Sequence, residues 1–180
     1  TFLIDEKIDT GNILLKESTP ISPEDNVGTL HDRLAEIGKE LIIQTLDGLE
    51  KNELVPQPQE NPAELKSAFK IFKEDCQIDW TESLTNIHNK IRGLSPYPAA
   101  WTIFQHGDDQ KSFKIYKGRF ELAETNEEEL NQIQFVNNEI RITLNDGFYF
   151  VEEVQPEGKK RMMAKDFING LHEKSGWKLA

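Results

Sequence analysis

The chain has 180 residues and a formal net charge of −11, from 21 Lys and Arg against 32 Asp and Glu. That length can bury roughly 70% of the surface its unfolded form exposes, enough for one large domain or two small ones. No apolar run approaches the roughly 18 to 20 residues of a membrane-spanning helix, the opening residues lack a secretory-signal pattern, and one cysteine, Cys76, excludes an internal disulfide or a cysteine-built zinc site.

Residues 1–20 read as two short strands around the turn Asp9-Thr10-Gly11-Asn12, with Phe2-Leu3-Ile4 opening like a strand of a longer protein. Ser22-Pro23-Glu24-Asp25 offers a helix start, and Asn26 a second cap. Val27, Leu30, Leu34, Ile37, Leu41 and Leu46 then recur as an amphipathic stripe, which predicts a helix to about Glu50. Two strands and a helix without further sheet partners leave apolar faces uncovered. Pro56, Pro58 and Pro62 mark residues 51–65 as a stiff linker and the domain boundary.

Trp80-Thr81-Glu82-Ser83 leads into a second helix with Leu84, Ile87, Ile91 and Leu94 buried, and Gly93 as the stop. The rest is β-rich. Strands are expected at Trp101–Gln105 and Phe113–Phe120, joined by a polar loop His106–Lys111. Ile133–Val136 and Ile140–Leu144 flank Asn137-Asn138, a two-residue hairpin turn, and Asn145-Asp146-Gly147 turns into Phe148–Val154. A short helix at Ala164–Leu171 closes the pattern. Several short strands with one or two helices predict a small closed barrel of the oligonucleotide/oligosaccharide-binding (OB) type. The acidic run Glu121–Glu129 reads as a solvated loop, Trp80 and Trp101 as core, and Met162 and Met163 as packing.

The acidic sum argues against nucleic acid, since phosphate contacts need Lys and Arg. The charge is uneven, however. Basic residues gather at Lys66–Lys73, Lys111–Arg119 and Lys159–Lys165, and local patches govern how a polyanion is steered. A reduced, cytoplasmic setting fits the lone cysteine.

Three separated stretches carry a family resemblance. Ile8-Asp9-Thr10-Gly11-Asn12-Ile13-Leu14 with Leu30-His31-Asp32-Arg33-Leu34 resembles the last catalytic motif of the folate-dependent formyltransferases and the helix after it. Lys73-Glu74-Asp75-Cys76-Gln77-Ile78-Asp79-Trp80, then Ile91 to Pro98, resembles the opening of the C-terminal domain of the methionyl-tRNA formyltransferase family. Gln155-Pro156-Glu157-Gly158-Lys159-Lys160-Arg161-Met162 with Asp166-Phe167 is similar to that domain's closing basic segment. Departures are Asn12, where the family often has Asp, Cys76, where it often has Gly or Ala, and Tyr97, where it often has Trp.

The resemblance implies an α+β fragment. Residues 1–50 are the strand–strand–helix tail of a Rossmann-like formyltransferase domain, 51–65 the linker, and 66–180 an OB-like barrel with short helices. It implies transfer of a formyl group from 10-formyltetrahydrofolate to the amino group of initiator methionyl-tRNA, with no metal. Such chemistry needs donors for an oxyanion and a positioned acid–base group. Asp9 corresponds to the family's catalytic Asp, which orients and stabilises a charged histidine. Asp5, Glu6, Lys7 and Ile8 would line the pterin pocket mainly with backbone groups.

No Asn-x-His followed by Ser-Leu-Leu-Pro occurs, and His31, His88, His106 and His172 read as surface or cap residues. The chain alone is therefore expected to be inactive, its partners being the rest of a catalytic domain and initiator tRNA. Lys90, Arg92, Lys114, Lys117, Lys159, Lys160, Arg161 and Lys165 are the candidate tRNA contacts, with Lys114, Tyr116 and Lys117 expected on one strand face. Two other readings stay open: a formyltransferase acting on a sugar nucleotide or other amine, and a non-catalytic barrel that binds nucleic acid or protein.

Overall fold

The computed structural model describes residues 1–7, 10–59 and 68–180. The chain divides into two compact units, Thr1–Lys70 and Ile71–Ala180.

In the first unit the expected strands shrink to single bridges. Phe2 pairs with Ile13, and Ile13 with Gln57, both antiparallel. Gly11 shows how tight the turn is: a Cβ there would lie 1.5 Å from the Leu3 carbonyl oxygen. Such backbone-to-backbone approach admits only glycine. Ile13 and Gln57 exchange both backbone hydrogen bonds at 2.8 Å, so the start of the expected linker is tied into this unit. The rest of that linker, residues 60–65, lies outside the described residues, as do residues 66 and 67.

Helix α1 (Val27–Glu50) starts at the second of the two candidate caps. The Asn26 side chain accepts the Thr29 N–H at 3.0 Å, and the Thr29 hydroxyl accepts the Asn26 N–H at 3.1 Å. This reciprocal box satisfies two otherwise orphaned donors. Just before it, Asp25 accepts two hydrogen bonds from Arg33, at 2.6 and 3.1 Å, and one from the Ser22 N–H at 2.8 Å. The Arg33 guanidinium and then the Ser22 amide hold the Asp25 carboxyl well below the usual carboxylate range. The helix forms as its periodicity predicts, yet Ile42, Ile43 and Leu46 are each more than half exposed, at 53%, 56% and 61%.

The second unit is a closed antiparallel barrel. Its strands are β1 (Ala100–His106), β2 (Asp109–Leu122), β3 (Gln132–Val136), β4 (Glu139–Leu144), β5 (Gly147–Pro156), β6 (Met162–Met163) and β7 (Trp177–Leu179). The order is β2-β1-β7-β3-β4-β5-β6, and β2 also pairs with β5. That pairing closes a ring of six strands, and closure removes the exposed edges that invite aggregation.

Turn chemistry sets the hairpins. Asn137 and Asn138 both take positive φ, 51° and 66°, as a tight hairpin turn of this hand requires. The loop between β1 and β2 is shorter than expected. His106 faces Asp109 across a two-residue turn, because Gly107 at φ 60° lets the chain reverse at once. The end of the acidic run, Glu127–Glu129, forms one 3-10 turn, while Glu121 and Leu122 belong to β2.

Helix α2 (Leu84–Leu94) buries Leu84, Ile87, Ile91 and Leu94 as its stripe predicts. It runs through Gly93, the expected stop, to end at Leu94. Its start is fixed from afar: the Asp146 carboxylate, in the β4–β5 turn, accepts the Leu84 N–H at 2.9 Å. Helix α3 (Ala164–Asn169) stops before the expected Leu171. The core centres on Phe104 stacked on Phe113 at 4.5 Å, with Phe167 edge-on to Phe113 at 5.2 Å. Trp80 and Trp101 are partly buried against this core, as is Met162, whereas Met163 is 45% exposed rather than packed.

Candidate functional site

The first candidate site is the loop before the glycine turn. The Thr10 hydroxyl bonds both oxygens of Asp5, at 2.7 and 2.8 Å, and the Lys7 N–H donates to one of them at 2.9 Å. The Thr10 hydroxyl, then the Lys7 amide, lowers the pKa of the Asp5 carboxyl and favours its ionised form. Asp5 thus folds its own loop, leaving Asp5, Glu6 and Lys7 exposed. Gln59 closes the turn from the other side, donating to the Gly11 carbonyl at 2.8 Å. Ile8 and Asp9, expected for cosubstrate and catalysis, lie outside the described residues.

The second candidate site is a cleft of about 520 Å³ on the barrel, lined in part by Lys73, Tyr97, Trp101, Lys114 and Gly158. Several elements converge there. The Ala99 N–H bonds the Leu94 carbonyl at 2.8 Å, with Ala99 at φ 73°, which folds Tyr97 into a tight loop beyond α2. The Lys114 ammonium donates to the Pro98 carbonyl at 3.3 Å. Trp101 donates its indole N–H to the Lys73 carbonyl at 2.8 Å, while the Lys73 ammonium sits 5.7 Å from the ring centre. The turn Glu157–Lys160 forms the far rim, with Gly158 at φ 71° and the Lys159 N–H on the Pro156 carbonyl at 3.0 Å.

Strand β2 departs from simple alternation. Phe113 and Ile115 are buried, and a Cβ on Gly118 would lie 2.6 Å from the buried Tyr149 ring. Two residues, Tyr116 and Lys117, therefore fit between inward positions, because the pairing with β5 slips there. This bulge puts Lys117 on the outer face with Lys114 and Tyr116, as expected, by a route that strict alternation forbids.

The eight candidate cations fall into distinct surroundings. Lys114 lines the cleft, and Lys159 and Lys160 follow Gly158 on its rim as exposed residues. Arg161 grips Glu153 with two bonds of 2.6 Å and lies 4.2 Å over the Tyr116 ring. Tyr116 in turn bonds Gln155 at 2.7 Å, and Gln155 bonds the Lys159 carbonyl at 2.9 Å. Arg161 thus braces the turn that presents its neighbours. Lys117 pairs with Glu152 at 3.0 Å. Lys90 and Arg92 sit half-buried on α2, where Arg92 bonds Asn89 at 2.8 Å, and Lys165 is exposed on α3. Lys73, Tyr97 and Trp101 were not among the expected site residues. The Pro-Tyr-Pro run at 96–98 is the signal that points to Tyr97, since it forces a sharp loop.

Two of the histidines pack against aromatic rings. Asn86-Ile87-His88 has the Asn-x-His spacing but lies on α2, and His88 packs against Phe120 at 5.4 Å and Tyr149 at 6.2 Å rather than on the surface. His106 ends β1 and stacks on Trp177 at 4.9 Å. Among the described residues no cluster of His, Cys, Asp or Glu could hold a metal ion.

Two family models match in chain order: the formyl transferase model over residues 1–46 and the formyl transferase C-terminal domain over residues 70–172. The chain belongs to the formyl transferase family. This family member is 41% identical over 171 residues to the methionyl-tRNA formyltransferase of Flavobacterium johnsoniae, covering 95% of the chain and 54% of that protein. It is 39% identical over 178 residues to that of Parabacteroides distasonis, covering 96% and 55%. The chain thus spans about half the length of the curated relatives it matches. Among solved structures, HypX from Aquifex aeolicus in complex with tetrahydrofolic acid superposes with a TM-score of 0.66 at 16% identity, over 98% of this chain and 32% of that one. The N-formyltransferase from Helicobacter canadensis, with folinic acid and dTDP-3-aminofucose, gives 0.59 at 20%, over 89% and 54%. Both show the fold of this formyl transferase family member.

Proposed function

We propose that this chain serves formyl transfer from 10-formyltetrahydrofolate to the methionyl amino group of initiator tRNA. In this reading Asp9 is the catalytic carboxylate and the barrel positions the RNA. The observation that carries it is the ordered match of both formyl transferase models along a chain whose barrel has a cleft lined by Lys73 and Lys114, with the exposed Lys159 and Lys160 next in the chain after its lining residue Gly158. The relatives named methionyl-tRNA formyltransferase support the acceptor. The exposed loop 5–7, held by the Asp5–Thr10 bonds, would offer backbone groups to the folate ring. Asp9 would orient a protonated base and pass protons through water.

The purified chain should bind initiator tRNA in dilute buffer yet formylate none, because no Asn-x-His with a Ser-Leu-Leu-Pro loop accompanies Asp9. A time course showing product above a protein-free control would sink this. Lys159→Ala with Lys160→Ala should weaken tRNA binding about 10- to 50-fold near physiological salt. The salt slope should fall by up to about 1.8, at roughly 0.9 per lost phosphate contact. Unchanged affinity and slope in a filter-binding titration would remove those lysines from the interface.

A second reading keeps the chemistry and changes the acceptor to an aminosugar nucleotide, as the Helicobacter canadensis neighbour's bound dTDP-3-aminofucose suggests. A binding comparison of tRNA with such a nucleotide sugar separates the two.

A further inference from the structure

We propose that the barrel cleft holds one unstacked nucleobase of a single-stranded RNA segment, its ring laid against Tyr97 and its flanking phosphates on Lys114 and the 159–160 turn. This deepens the RNA-acceptor reading and rests on it.

Size is the first argument. About 520 Å³ lies within the roughly 300–1,000 Å³ of small-ligand sites. It suits a base with its sugar and is too small for a duplex.

The walls are the second. Phe72, Tyr97 and Trp101 line this one concavity, and Tyr97 is 83% exposed although its ring is large and mostly apolar. Stacking on such rings accepts any base, because every base has a π-face. Trp101 is anchored through Lys73, so the wall is preformed rather than assembled on binding. Gln155, also in the lining, spends its side chain on Tyr116 and the Lys159 carbonyl, so it does not read a base edge. The cleft should therefore tolerate any sequence.

Charge is the third. Lys73 and Lys114 line the cleft against one carboxylate, Glu157, in a chain whose net charge is −11. Lys159 and Lys160 extend the positive rim. An aromatic wall ringed by ammonium groups complements a base flanked by phosphates. An apolar peptide would leave the lysines unused, and a duplex keeps its base faces stacked away.

The test is an anisotropy titration of the 180-residue chain with a short unstructured RNA and with a blunt-ended RNA duplex of the same strand length. Tyr97→Ala should weaken the unstructured RNA by about 5- to 150-fold while the salt slope stays unchanged, because stacking is lost and no phosphate contact is. The duplex should bind as before, and Tyr97→Phe should retain the affinity for both. Thermal melts of both variants should match the parent, since an 83% exposed ring supports little of the core. If Tyr97→Ala leaves the unstructured RNA unaffected, weakens both RNAs alike, or changes the slope, the base pocket is wrong while the RNA reading stands. If the unaltered chain binds neither RNA in dilute buffer, the RNA reading itself falls.

Discussion

Phe113→Ala should destabilise the barrel by about 3–5 kcal/mol. Phe113 is fully buried, stacked on Phe104 at 4.5 Å and met edge-on by Phe167 at 5.2 Å. Truncation removes the transfer free energy of the ring and leaves a cavity between rigid neighbours. Those neighbours cannot collapse inward, because β2 is hydrogen-bonded on both sides, to β1 and to β5. For a unit of this size the loss corresponds to roughly 15 to 25 °C in Tm. A calorimetric scan of the whole chain checks it. A shift of only a few degrees would mean that the ring closure, not the aromatic stack, dominates barrel stability.

Asp9→Asn should lower kcat by about 10² to 10⁴ in a full-length formyltransferase carrying this sequence, with the Kd for tRNA unchanged. Asparagine keeps the size and one acceptor oxygen but removes the charge that would stabilise a protonated base. The lysine pair at 159–160 should give the opposite signature: weaker binding, with turnover at saturating tRNA intact. A kinetic comparison of the two variants separates chemistry from positioning. A loss below about tenfold for Asp9→Asn would make the residue a turn former, its ordinary role before Thr-Gly.

Much of the barrel was legible because its signals are local. Asn137-Asn138 announces its hairpin through the backbone conformation it tolerates, and α2 through four apolar residues at helical spacing. What was not legible depends on partners far away in the chain. Strand β7 is three residues long, and nothing in Trp177-Lys178-Leu179 says that β1 and β3 need it. The bulge at Tyr116–Lys117 exists only against β5. Arg161 looked equivalent to Lys159 and Lys160 as one basic run, yet Glu153 and Tyr116 engage it. The two strands expected at the start are, among the described residues, the isolated bridges Phe2–Ile13 and Ile13–Gln57. The cleft itself needs residues from 71 to 158 to meet, which no short window of sequence contains.

The position of β7 bears on how the barrel is made during translation. Residues 177–179 are the wedge between β1 and β3, so the ring stays open until they emerge from the ribosome. Until then the nascent chain presents two raw sheet borders, each able to recruit a second polypeptide. Arrest of synthesis before these residues would leave a sticky intermediate with both borders unpaired.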